Sequence, residues 1–279
     1  MIPVLFKIGP LSIYSFGFML VVAFYSCYYL LTKEMKRLGY DEKLASDLVF
    51  AAAVGGILGS KIYYLLENLG RVIDDPIGMI FSGAGLVFLG GLIGGTLGVT
   101  WVIRKNNLAW FEFGDIVAPL LILGYAIGRI GCFLVGDDYG LPTHHPIGVT
   151  FEKGIPPTTT YSFETYYPWI DISGFDPGVI TVLPTQLMET AMGLMIFIYL
   201  WKKRKSITVK GSLFFTYLIL AGVERFFIEF VRTNPKYVWF GDSMGLSGAQ
   251  LLSVVMIVIG GIFLRYRSRR GNVESPEKH

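Results

Sequence analysis

Seven stretches of this chain are apolar for long enough to cross a bilayer as a helix, which takes about 20 residues at a rise of roughly 1.5 Å each. They run approximately over 11–31, 45–66, 79–103, 110–135, 185–201, 211–231 and 248–264, with polar connections between them. The first is longer than the apolar core of a cleavable signal peptide. Lys7 is the one charge ahead of it and no small-x-small pattern follows, so it is expected to stay in the mature protein. The longest connection, 136–183, is different material: Pro142, Pro146, Pro156, Pro157, Pro168 and Pro177 are interspersed with Tyr161, Phe163, Tyr166, Tyr167 and Trp169. Prolines at that density forbid a long helix. The segment reads as a small head of turns and short strands, its aromatics at lipid-headgroup depth. The pattern predicts an all-α membrane protein with seven transmembrane helices, one transmembrane domain over 1–279 with a head inserted at 136–183.

Composition sharpens this. Of the 279 residues 53% are hydrophobic and 16% charged, where a soluble domain carries roughly 25% charged, and the mean hydropathy is +0.54. Disorder, a collagen repeat and a disulfide scaffold are excluded. Cys27 and Cys132 both lie in apolar runs and cannot form a stapled framework. A net charge of +3 is too small to imply a nucleic-acid partner. The placement of the charge says more. Lys33, Lys36, Arg37 and Lys43, then Arg104 and Lys105, then Lys202, Lys203, Arg204, Lys205 and Lys210, then Arg265, Arg267, Arg269, Arg270 and Lys278 fall in alternate connections. Basic flanks are retained on the cytoplasmic side. The C-terminus is therefore expected inside, the N-terminus outside, and the head on the outer, periplasmic side. No internal repeat is evident.

Charged residues within spans are costly, about 2.5 to 3.5 kcal/mol each at the bilayer centre even on lenient scales, and should face inward. The candidates are Lys61, Asp115, Arg129, Glu224, Arg225, Glu229 and Arg232. Arg225, Glu229 and Arg232 are spaced i, i+4, i+7, one helix face carrying a plus, minus, plus ladder. Glu229 can then neutralise one arginine and leave the other free. With Arg129 near the outer end of its span, these groups can converge on an outward-facing cavity suited to a phosphate, whose oxygens match planar guanidinium donors. The alternative is that they only lock helices together. Gly90, Gly94 and Gly98 form a small-xxx-small stripe, explained by close helix packing. A backbone opened near Gly83 to Gly91 and lining a lipid cavity is also permitted. Pro119, four residues after Asp115, is expected to kink its span. In the run Gly128-Arg129-Ile130-Gly131-Cys132-Phe133-Leu134-Val135-Gly136-Asp137-Asp138-Tyr139-Gly140, glycines bracket two carboxylates and suggest a tight turn. Asp137 and Asp138 can pair with arginines, accept a proton or simply open a solvated loop. Cys132 reads as a core residue. His144 and His145 lie beside Pro146 in the head and are more simply exposed polar residues than catalysts.

Several of these runs together resemble the phosphatidylglycerol:prolipoprotein diacylglyceryl transferases of bacterial inner membranes. They are Phe16-Gly17-Phe18-Met19, Gly90-Gly91-Leu92-Ile93-Gly94, Asp115 with Ala118-Pro119, Gly128-Arg129-Ile130-Gly131, Pro184-Thr185-Gln186-Leu187 with Glu189, and Arg225-Phe226 with Glu229-Phe230 and Arg232. The resemblance spans nearly the whole chain. It implies seven helices with the N-terminus outside, a periplasmic head, a multi-pass location in the inner (cytoplasmic) membrane, and transfer of the diacylglyceryl group of phosphatidylglycerol to a lipobox cysteine thiol. The partners implied are phosphatidylglycerol, membrane lipid and prolipoprotein signal peptides; no cofactor, metal or nucleic acid is expected. Departures from the family pattern are Leu89 where a histidine is usual, Cys132 and Val135 where asparagines are usual, Asp137 for a glutamate and Phe16 for a tyrosine. The expected catalytic residues are Arg129, Arg225, Asp137 and Glu229, the last two as candidate proton acceptors. Arg129, Arg225, Arg232, Gly90, Gly91 and Gly140 are expected to bind substrate. Competing readings are a phospholipid-binding homologue without transfer, suggested by Leu89 and Cys132, and a membrane transporter.

Overall fold

The computed structural model describes residues 2–9, 11–81, 87–238 and 245–271, and within these it is mostly helical. A hairpin comes first, β1 (Val4–Ile8) antiparallel to β2 (Leu11–Tyr14). It replaces the beginning of the first expected span, with Gly9 in its turn at φ +59°. The Ser15 hydroxyl then donates to the carbonyls of Ile2 and Pro3 as α1 (Ser15–Leu38) begins. α2 (Glu42–Glu67) is capped by Asp41, whose carboxylate accepts from the Lys43 amide at 2.9 Å, the usual way to satisfy a first-turn N–H. Two short helices follow, α3 (Leu69–Asp74) and α4 (Pro76–Phe81), before α5 (Phe88–Lys105) and α6 (Trp110–Val135). The expected span 79–103 is therefore not continuous from its start: its first residues belong to α4 and the long helix begins at Phe88. Gly83 and Gly85, where the sequence allows an opened backbone, lie outside the described residues. Next come α7 (Thr160–Tyr166), α8 (Thr185–Lys203), α9 (Ser212–Ile228), a 3-10 turn at Glu229–Val231, the two-residue strands β3 (Tyr237–Val238) and β4 (Gly245–Leu246), and α10 (Gly248–Gly271).

Among these, α1, α2, α6 and the Gly248–Tyr266 part of α10 are long and apolar enough to cross a membrane. Their exposed positions include Val21, Phe50, Ile62 and Ile262, the side chains a lipid-facing helix presents. α5, α8 and α9, at 18, 19 and 17 residues, occupy the other three apolar stretches.

The fold divides into two compact units. In the unit spanning 24–116, α2 and α5 approach so closely that glycine is required on both sides. A Cβ on Gly94 would stand 2.8 Å from the Gly59 Cα, and one on Gly59 would stand 2.8 Å from the Gly94 Cα. Gly98 faces the Ala51 carbonyl in the same way. In the unit formed by 2–23 and 117–271, Ile122, Leu200, Leu213 and Ala221 of α6, α8 and α9 make one core. The segment 136–183 makes a second, around Tyr139, Phe151, Phe163, Ile180 and Val182. Bridges of Val182 with Pro142 and Val149, and of Thr159 with Val179, tie its strands together. Its aromatics divide rather than all facing outward. Phe163 is buried and Tyr167 packs on it, whereas Tyr161, Tyr166 and Trp169 are exposed. A helix as short as α7 has one face for the core and one for the surroundings.

Candidate functional site

The densest polar chemistry in the 2–23 and 117–271 unit is a network of three arginines and three carboxylates. α6 brings Arg129, α8 brings Glu189, α9 brings Arg225, and the chain just beyond brings Glu229 and Arg232. Glu189 is fully buried and meets all three guanidiniums: Arg129 Nε at 3.1 Å, Arg225 Nη1 at 3.0 Å and Arg232 Nη1 at 3.2 Å. Glu229, also buried, lies 2.8 Å from Arg225 Nη2 and 3.7 Å from Arg232 Nε, and accepts from Asn234 Nδ2 at 2.7 Å. Asp138 spans the remaining pair, at 2.7 Å from Arg129 Nη1 and 3.0 Å from Arg232 Nη2. The Arg129 guanidinium also lies over the Tyr125 ring, 5.1 Å from its centre.

Local geometry explains how Asp138 reaches that position. α6 ends on Gly136, which takes φ +78° and donates to the Cys132 carbonyl at 2.8 Å, a left-handed stop that glycine adopts without strain. The start of α8 then clamps the turn: Gln186 Nε2 donates to the Asp137 carbonyl at 2.6 Å and the Thr185 hydroxyl to that of Asp138 at 3.1 Å. Gly140 pairs with Arg232 across an antiparallel bridge. A Cβ there would stand 2.6 Å from both Thr185 Cγ2 and the Val231 carbonyl, so close backbone approach is reason enough for this glycine. Asp137 points elsewhere. Its carboxyl lies against the Cys132 thiol, and its Oδ1 is buried without a hydrogen-bond partner. Burial, followed by the Asp138 charge, pushes Asp137 up to about 6. Burial acts on Asp138 as well, but the guanidiniums of Arg232 and Arg129 outweigh it and hold that carboxylate down at about 2.

The expected ladder of Arg225, Glu229 and Arg232 thus forms ion pairs, though not on one α-helix, since α9 stops at Ile228 and Arg232 is extended. It leaves neither arginine free, because Glu189 and Asp138 supply the further negative charge. Of these two, Glu189 is not among the intramembrane charges singled out from the sequence, and Asp138 is offered there only as one of two aspartates able to pair with arginines. Glu189 was visible as a carboxylate inside the apolar stretch 185–201, whereas no spacing separates Asp138 from Asp137. Gly90 and Gly91 belong to the other unit, where a Cβ on Gly90 would meet the Gly59 backbone and one on Gly91 would stand 2.6 Å from Ser60 Oγ. His144 stacks on Phe175 with centroids 4.1 Å apart, and His145 Nδ1 accepts from the Ile147 amide at 3.3 Å. No group of three or more metal-ligating side chains occurs among the described residues.

A family model described as prolipoprotein diacylglyceryl transferase matches residues 3–266. The chain belongs to the prolipoprotein diacylglyceryl transferase family. A phosphatidylglycerol--prolipoprotein diacylglyceryl transferase of Clostridium tetani is 34% identical over 259 residues, covering 92% of this chain and 94% of the relative. One from Clostridium perfringens, numbered 2, is 32% identical over 282 residues and 99% of each chain. One from Oceanobacillus iheyensis is 32% identical, covering 94% and 87%. The apolar helices and the family together make this a multi-pass membrane protein, and the arginine network is built from runs that carry the resemblance to the transferases.

Proposed function

We propose that this protein transfers the diacylglyceryl group of phosphatidylglycerol to the cysteine thiol of a prolipoprotein lipobox, in the bacterial inner membrane. Family membership carries the reaction, and the convergence of Arg129 and Arg225 from separate helices on one buried carboxylate carries the assignment of residues. The proposed topology has seven spans, an outside N-terminus, a cytoplasmic C-terminus and 136–183 as the periplasmic head of a single transmembrane domain. The basic connections support it.

In the proposed reaction the thiol gives up its proton and its sulfur attacks the glyceryl carbon that carries the phosphate. The carbon–oxygen bond breaks, its electron pair stays on the phosphate oxygen, and glycerol phosphate leaves. Arg129 and Arg225 hold the phosphate and offset the charge that grows on it, with Arg232 assisting; fixed cations suit that task because they need no reorganisation. Of the two candidate proton acceptors, Asp137 is favoured over Glu229. Glu229 is engaged by Arg225 and Asn234, whereas Asp137, against the Cys132 thiol, has a pKa raised to about 6, closer to that of a thiol and better matched to accept its proton.

The test is purified protein with labelled phosphatidylglycerol and a lipobox peptide, reading thioether-linked lipid on the peptide cysteine. Product that disappears in Arg129→Ala and Arg225→Ala is the expected result. Lipid binding without product in the unmutated protein would assign it to lipid binding alone, and solute movement across vesicles to transport. For Gly90 and Gly91 the reading is helix packing that shapes the lipid-binding body, and for Gly140 the close approach that sets the Asp138 turn.

A further inference from the structure

The three arginines are already neutralised, so a lipid phosphate cannot simply be added to them. Glu189, Glu229 and Asp138 balance Arg129, Arg225 and Arg232 in charge, and a fourth anion would leave the network net negative where solvent screening is weak. Exchange of one anion for another preserves the balance. The carboxylates are not equally exchangeable. The side chains of Glu189 and Glu229 are 0% and 1% exposed, whereas that of Asp138 is 48% exposed. Asp138 also bridges two guanidiniums with two oxygens, one each, as two phosphate oxygens would. Its backbone stands at φ +57°, a left-handed conformation that residues other than glycine, asparagine and aspartate seldom adopt. Open space adjoins one of the two guanidinium-bearing residues: Arg232 lines a cleft of about 440 Å³ with Trp169, Asp171, Asn234 and Lys236, a volume in the range of small-molecule sites.

We propose that Asp138 occupies the phosphate seat between Arg129 and Arg232 in the resting protein and is displaced by the incoming anionic headgroup. Asp138 is then a specificity-determining residue. A headgroup enters only if its anion out-competes a tethered carboxylate for two guanidiniums, which a phosphodiester with two free oxygens does and an uncharged group does not. A zwitterionic lipid such as phosphatidylcholine presents the same phosphate, but brings a cation into a seat lined by arginines. The inference rests on the reading of these arginines as the phosphate site but seats the phosphate between Arg129 and Arg232, since Arg225 is paired with the buried Glu189 and Glu229, and it adds what holds that seat before substrate arrives.

The experiment uses the full chain in detergent, with inorganic phosphate, phosphatidylglycerol and phosphatidylcholine as probes. Removing an internal competitor raises apparent affinity, so Asp138→Asn is expected to bind inorganic phosphate and phosphatidylglycerol about tenfold more tightly, with KM for the lipid falling by a similar factor. Asp138→Glu, which restores a competing charge, is expected to return affinity toward that of the unmutated protein. A merely structural role for Asp138 predicts no gain of affinity. Folded Asp138→Asn with unchanged or weaker binding overturns the proposal. Should that variant not fold, hydrogen exchange on the unmutated protein decides. Faster exchange of the 136–140 amides on adding phosphatidylglycerol is the expected release of the turn, and unchanged or slower exchange overturns it. Thioether formation by a protein whose Asp138→Asn variant gains no affinity rejects this inference and leaves transfer standing. Tighter phosphate binding by the variant without any thioether product does the reverse.

Discussion

Glu189 has no solvent contact and serves three guanidiniums at once. Replacing it by glutamine keeps the volume and removes the charge, leaving buried arginines under-compensated, a loss of about 3–5 kcal/mol. Glu189→Gln should therefore lower the melting temperature in detergent sharply and abolish transfer in the same preparation. Arg129→Lys asks a different question. A lysine keeps the charge but cannot reach Glu189 and Asp138 with a planar fork. A loss of about a hundredfold in kcat is expected from the labelled-lipid assay, comparable to removing one fixed donor from a developing anion. The two aspartates titrate in opposite senses. With its pKa raised to about 6, Asp137 accepts protons only above that value, so transfer should rise with pH through about 6 and then level off, and Asp137→Asn should remove the rising limb. For stability the signs are also opposite. The fold binds the Asp137 proton more tightly than the unfolded chain does, so this group's contribution falls as pH rises from about 4 to about 6. Asp138, held at about 2, stabilises above the ordinary carboxylate range and loses that contribution as pH falls toward about 2.

At the scale of elements, the glycine faces of α2 and α5 are the clearest case of sequence pattern becoming geometry. Small residues every fourth position let two backbones touch, and here Gly55, Gly59, Gly90 and Gly94 interlock. Gly94→Ala must push the helices apart and should cost about 1–3 kcal/mol, the range for forced overpacking. Gly261→Ala, within α10 with nothing within 4 Å of the added atom, should hold or slightly raise the melting temperature, since alanine favours a helix interior over glycine, and paired thermal scans in detergent compare the two. The stripe on α5 was legible because spacing alone reveals it. The β1–β2 hairpin was not, because its residues are as apolar as the helix that follows and apolarity alone does not separate a short strand from the start of a helix. The short α4 and the start of α5 at Phe88 likewise interrupt an apolar stretch that hydropathy reads as continuous.

For the whole molecule, the alternating basic connections make a topology prediction of their own. A cysteine placed at Glu152, in the segment 136–183, should react with a membrane-impermeant maleimide in intact cells; one placed at Lys205 should react only after the membrane is opened. The reverse pattern would overturn the orientation. Cys27→Ser and Cys132→Ser provide the background for the measurement.

The sequence by itself located most of the long helices, the proline-rich segment 136–183 that packs a core of its own, and the arginines that the fold brings together, and it pointed to the family. Each of these depends on local hydropathy, charge or spacing, all of which are written along one dimension. Only the tertiary structure decided that Glu189 is the common partner of the arginines, and that Asp138 rather than Asp137 closes the network. It also turned Phe163 into the head and Tyr161 away from it. These are relations among side chains brought together by different elements, and pairing of charges depends on distances in space that no spacing along the chain specifies.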